Sequence, residues 1–213
     1  MTTTSIVLGS SGLIGMRLLH ELEKKNTNII AVMRRSENNL PKKITPLIID
    51  FDDFIENGLL PRCDHLYICL GTTIKKAGSE AEFRRVDLDY CLAFANKAKE
   101  SGASKISVVT SIGADAKSSN FYLRTKGLLE EGIKKLSFES VCIFQPGLLL
   151  GERRESRFLE KIGQKISFIT NIFLVGRLRK YRSVKAHDIV HSMANTSLSR
   201  GIKILRYDDF NKP

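Results

Sequence analysis

Residues 5–25 read SIVLGSSGLIGMRLLHELEKK, and this stretch decides the fold. Its first five residues are a short aliphatic and β-branched run of strand type. Behind it Ile14, Leu18 and Leu22 recur every four residues, which predicts a helix over 13–25 with one apolar face and a basic last turn. Between strand and helix lie Gly9, Gly12 and Gly15. Glycines at such a junction let the backbone turn tightly and approach a pyrophosphate, whose charge the helix N-terminus stabilises. A lone glycine pattern is weak; strand, glycines and helix in this order predict a dinucleotide-binding turn.

Further along, NIIAVM (28–33), TPLIID (45–50), HLYICLG (65–71), KISVVTS (105–111) and SVCIFQPG (140–147) are strand-type runs. A long helical pattern over 80–99 carries Phe83, Asp87, Tyr90, Phe94 and Ala98 on one side, with Gly102 as its stop. Continuous apolar strands separated by helices specify an α/β fold, a doubly wound, Rossmann-like parallel sheet covered on both faces. One NAD(P)-binding domain is expected over 1–213. From about Leu148 the alternation stops. A helix over 153–165, an irregular stretch to Arg182, a short strand SVKA and a helix opening at Asp188, capped by that residue, are expected to form a small C-terminal substrate lobe over 148–201.

The net charge of +11 on 213 residues is uneven: residues 151–213 hold 14 Lys/Arg against 6 Asp/Glu. Such a lobe attracts anions, whether a phosphorylated cofactor, an acidic substrate or an acidic partner surface. The N-terminus lacks the pattern of a secretory signal, no apolar run is long enough to span a bilayer, and Cys63, Cys69, Cys91 and Cys142 carry no CxxC spacing. These features predict reduced core cysteines, no membrane span and a cytoplasmic address.

Two clusters carry chemistry. Where an Asp or Glu would take a ribose 2′-hydroxyl, the second strand ends in Met33-Arg34-Arg35; paired guanidiniums suit a 2′-phosphate and favour NADP(H) over NAD(H). Asp50, at the end of the third strand, suits either the adenine amine or a turn. Tyr122 and Lys126 stand at i and i+4 in SSNFYLRTKG (118–127), after a strand ending in Thr110-Ser111, with Ser118, Ser119 and Asn120 as capping candidates. A free phenol with a pKa near 10 needs help to exchange protons at neutrality, and a cation on its own helix face favours the phenolate. The Ser111 hydroxyl can hold a carbonyl oxygen while Tyr122 protonates it and hydride arrives from reduced nicotinamide.

GSSGLIG, the serine at the fifth strand and YLRTK together resemble the short-chain dehydrogenase/reductase superfamily in its extended or atypical branch. More specifically, CLGTTIKKAGSEAEFRRVDLDY (69–90), SIGADAKSSNFYLRTKG (111–127) and FQPGLLLGERRESR (144–157) resemble the Tat-interacting-protein-like NADP-binding oxidoreductases. The resemblance implies cofactor contacts from Ser11, Gly12, Leu13 and Ile14, from Arg34 and Arg35, and from Leu70, Gly71 and Thr72, with Leu149 and Arg157 closing over the cofactor. It makes Tyr122 the acid/base and Lys126 its partner and ribose ligand. Gln145 departs from the arginine that the resemblance implies before Pro-Gly. An NADP(H)-dependent reductase of a small carbonyl compound, monomeric or weakly dimeric, is expected; an NADP(H)-binding regulator with a protein partner is the alternative, since fold does not dictate activity. His187 and His191 have zinc-compatible spacing with no third ligand in view, and GRLRKYRSVK (176–185) is cationic enough to track nucleic acid; a helix-surface or capping role is preferred for the histidines, and a solvated lobe or an anionic-substrate patch for the basic stretch.

Overall fold

The computed structural model describes residues 3–25, 27–150, 176–196 and 199–210. β1 (Thr3–Leu8), α1 (Leu13–Glu23), β2 (Thr27–Met33), β3 (Ile44–Ile48), α2 (Phe51–Asn57) and β4 (His65–Ile68) form the first half of the sheet. α3 (Ile74–Ala77) follows, then a continuous helical run of α4 (Glu80–Arg84), a π-helical turn over Arg85–Asp89 and α5 (Tyr90–Glu100). β5 (Lys105–Val109), α6 (Phe121–Lys135), β6 (Ser140–Phe144) and the short β7 (Leu149–Leu150) come next. A 3-10 turn (Gly176–Tyr181), β8 (Val184–Lys185), α7 (Ala186–Asn195), β9 (Gly201–Leu205) and α8 (Tyr207–Phe210) are the last of the described elements.

Seven strands run parallel in the order β3-β2-β1-β4-β5-β6-β9, and β7 pairs with β8 separately. The order reverses between β1 and β4, which opens the crevice where ligands of such sheets bind. Successive strand side chains point to opposite faces, so both faces carry a core. Ile6, Leu8, Leu66, Ile68 and Ile143 pack under α2, α5 and α6, while Val7, Tyr67, Cys142 and Phe144 pack under α1 and α7. This double burial is why the strands read as unbroken apolar runs. The edges differ: β3 carries Pro46, which an edge strand tolerates, and β9 exposes Ile202 and Ile204.

Several features depart from the sequence expectation. Asp50 is the N-cap of α2, its Oδ1 accepting from the Asp52 and Asp53 amides at 2.9 and 3.1 Å, which is the turn role that its place in the sequence also allowed. The helix expected to open at Asp188 opens at Ala186 instead, after Lys185, with no side-chain cap; Asp188 sits inside the first turn beside His187. A seventh strand, β9, lies where no strand was expected. α5 ends as expected, Gly102 at φ +96° donating its amide to Lys99. All four cysteines are free, and no helix among the described residues is long and apolar enough to cross a membrane. The expected helix over 153–165 lies outside the described residues.

Candidate functional site

The glycine turn is built by crowding. Gly9 adopts φ +79°, and a Cβ there would come 2.5 Å from the Leu70 amide nitrogen; a Cβ on Gly15 would run into the Gly9 carbonyl. Strand, turn and helix therefore approach closer than side chains allow. The Gly12 amide donates to the Gly9 carbonyl at 3.1 Å, and buried Ser10 donates its hydroxyl to the Val32 carbonyl at 2.8 Å, pinning the turn to β2. Gly12 is the N-cap of α1 and offers no side chain, so the first amides of that helix face the exposed Ser11–Gly12 corner uncapped. Leu13 is half-buried; Ile14 is buried and serves the core, leaving only its backbone to a ligand.

Arg34 and Arg35 follow β2 beside this turn, both exposed, and the Arg34 guanidinium lies 5.8 Å from the centroid of the Phe51 ring. An aromatic face steadies a guanidinium without consuming its donors.

Across the crevice, Leu70, Gly71 and Thr72 leave β4 and meet a residue that sequence reading did not select. The Thr72 amide donates to Asp87 Oδ2 at 2.8 Å, while Asp87 Oδ1 lies 2.6 Å from Lys126 Nζ. Asp87 is fully buried and Lys126 is 4% exposed. Oδ1 takes no hydrogen bond of regular geometry, so its partner is the ammonium charge itself. Burial opposes the charge on Lys126, but the Asp87 carboxylate, with Tyr122 adding, outweighs it and moves the pKa of the ammonium above the usual lysine value. The signal for Asp87 was present in the sequence: a carboxylate among the apolar positions of the helix over 80–99.

Tyr122 lies in the first turn of α6, which Asn120 caps by accepting from the Leu123 amide at 3.1 Å. Its half-buried ring packs 5.7 Å from that of Phe83, one turn before Asp87 on the neighbouring helix. The structure thus gathers Tyr122, Lys126, Asp87 and Gly71. Ser111, half-buried after β5, turns its hydroxyl to the Ile112 carbonyl at 3.3 Å.

Leu149 is half-buried against the α1 and α7 core; Arg157 lies outside the described residues. Gln145 is buried and donates to both oxygens of Glu130 at 3.0 and 3.1 Å, while its own oxygen accepts from Arg206 Nε at 3.0 Å. Thr110 completes the cluster with a 2.6 Å bond to Glu130. The departure at Gln145 is therefore absorbed inside the protein. His187 and His191 stack at 6.2 Å, and no group of three candidate metal ligands occurs among the described residues. The basic turn is partly neutralised, Arg179 pairing with Asp208 at 3.0 Å.

No family model matches the chain. It is 36% identical to Protein HTATIP2 of Rattus norvegicus over 165 residues, covering 75% of this chain and 68% of that one. It is 34% identical to Protein FMP52, mitochondrial, of Lodderomyces elongisporus over 169 residues, covering 74% and 71%. Among solved structures, the UDP-N-acetylglucosamine 4-epimerase from Bacillus cereus superposes with TM-score 0.69 at 14% identity, over 96% of this chain and 79% of that one. The cytoplasmic address expected from the sequence is overturned, because the fungal relatives are named as mitochondrial proteins. The glycine turn, the parallel sheet and these relatives together establish that the chain belongs to the HTATIP2 and FMP52 family, built on a Rossmann-like parallel sheet.

Proposed function

We propose that the chain is an NADP(H)-dependent oxidoreductase that reduces a small carbonyl compound. The observation that carries this reading is the buried Lys126, held against the β4 turn beside Tyr122, across the crevice from an uncapped, glycine-lined helix N-terminus. The crowded glycines and free α1 amides fit a pyrophosphate, and Arg34 with Arg35 fits a 2′-phosphate. When bound, the reduced nicotinamide supplies hydride to the carbonyl carbon. Tyr122 gives its phenolic proton to the carbonyl oxygen, Ser111 turns its hydroxyl from Ile112 to hold that oxygen, and Lys126 binds the ribose and stabilises the phenolate left behind. Tyr122→Phe should abolish NADPH oxidation with a carbonyl panel while sparing NADPH binding; full turnover in that variant overturns the assignment.

A second reading, an NADP(H)-binding regulator whose occupancy changes a protein interaction, draws on the basic 3-10 turn, where Leu178 is 51% and Tyr181 42% exposed beside Arg179 and Lys180. It predicts a captured protein partner whose binding depends on NADPH. A partner indifferent to the nucleotide removes this reading.

A further inference from the structure

Resting on the oxidoreductase reading, we infer that the carbonyl compound is an aliphatic aldehyde with a carboxylate at its far end, its chain laid over Leu148 and Tyr181 and its carboxylate held by Lys180.

The placement follows from the path of the chain beyond the sheet. β5 and β6 end side by side, and the Ile112 amide donates to the Pro146 carbonyl at 2.9 Å, so Ser111 and the segment Pro146-Gly147-Leu148 leave the carboxyl ends of the strands together, where such sheets bind ligands. Gly147 is pressed against the end of the 3-10 turn: a Cβ on it would come 2.4 Å from the Arg182 carbonyl oxygen and 2.9 Å from that of Tyr181. One residue on, the Leu148 carbonyl accepts from the Val184 amide at 2.9 Å. A ligand whose carbonyl oxygen rests on Ser111 therefore meets Leu148 first and the turn Gly176–Tyr181 next.

Two properties of that surface select the ligand. It is apolar, with Leu148 58%, Leu178 51% and Tyr181 42% exposed. Single exposed apolar residues are ordinary, whereas several beside a crevice mark a surface that takes a ligand. It is also cationic. Arg179 is engaged by Asp208 at 3.0 Å, but exposed Lys180 has no acidic partner among the described residues and stands 5.2 Å from the centroid of the Tyr181 ring. An aromatic face beside an ammonium offers one ligand a surface for methylenes and a charge for an anion. The single negative charge of a carboxylate matches that one ammonium, and the excess of cations over residues 151–213 favours an anionic end over a neutral or cationic one. In the turnover this implies, the aldehyde carbon takes a hydride from reduced nicotinamide and its oxygen takes the Tyr122 proton, which water then replaces; one aldehyde and one NADPH become a primary alcohol and NADP⁺.

Initial rates of NADPH oxidation by the wild-type protein are to be compared for pentanal, heptanal and nonanal and for the matching aldehydes in which the last methyl is replaced by a carboxylate. Within each series kcat/KM should rise about twofold per added methylene, half the effect of full burial, because the surface covers one side of the chain. At low salt each acid should be preferred over its apolar counterpart by about fivefold, the scale of one exposed ion pair, and added salt should screen the preference away. Lys180→Gln, a change at an exposed side chain, should bring the two series to parity, and Leu148→Ser should flatten the rise with chain length. Parity already in the wild type, a preference that Lys180→Gln keeps, or a wild type that reduces other carbonyl compounds and none of these overturns the substrate class and leaves the oxidoreductase reading standing. A wild type that oxidises NADPH with no member of a broad carbonyl panel overturns that reading, and the substrate class with it.

Discussion

Arg34 and Arg35 are the residues on which the proposed preference for NADP(H) rests. They are exposed, and Arg34 is steadied by the Phe51 ring. Replacing both by Ala should weaken NADPH binding by roughly 10- to 100-fold, one or two charge-assisted hydrogen bonds, and leave NADH binding nearly unchanged, as titration of nicotinamide fluorescence would show. His65 governs a different property. It is buried, 2.9 Å from Ser107 Oγ, and burial, with Lys105 adding, lowers its pKa from 6.5 to about 3. Below pH 6.5 the unfolded chain takes up a proton that the folded one refuses, so the stability of the neutral ring is complete above that pH and drains away toward pH 3. Urea unfolding should therefore show stability falling by at most about 1.4 kcal/mol per pH unit in that window, a slope that His65→Gln flattens. Single residues were legible where chemistry is local: Tyr122, Lys126 and the arginine pair stand out by type and spacing. The partner of Lys126 did not, because Asp87 lies 39 positions earlier and only folding brings the two together.

Elements were legible in proportion to their burial. β1, β2, β4, β5 and β6 are covered on both faces and announce themselves as apolar runs. β9, GIKIL at the edge, exposes alternate isoleucines and carries a lysine between them, so nothing in its composition demands a strand. α2 is seven residues with two acids in its first turn and depends on the Asp50 cap. The π-helical turn over RVDLD has neither Pro nor Gly to mark it. The junction of β1 and α1 is the opposite case, because its glycines are required by contact distance. Gly15→Ala must push the Gly9 carbonyl aside, so it should cost about 1–3 kcal/mol in urea unfolding and weaken nucleotide binding by opening the turn.

Across the whole molecule, one polar cluster, buried at Thr110, Glu130 and Gln145, fastens four parts of the chain. Thr110 after β5, Glu130 on α6, Gln145 after β6 and Arg206 after β9 are joined in series. Gln145→Leu would leave Glu130 with the Thr110 hydroxyl alone, and should destabilise the fold by about 1–3 kcal/mol in denaturant titration. Gln145→Arg should recover much of that loss by pairing with Glu130 directly. This joint was hidden from sequence reading because its members are polar residues scattered over 97 positions of the chain. α1 is fastened in a similar long-range way: its apolar face packs against α7, and Lys25 just beyond it reaches the Ala194 carbonyl and Asn195. During synthesis on the ribosome, Leu18, Leu19 and Leu22 therefore wait for some 170 further residues before their cover is made. A nascent chain halted before α7 would present that greasy stripe to chaperones, and its rescue would depend on how soon translation resumes.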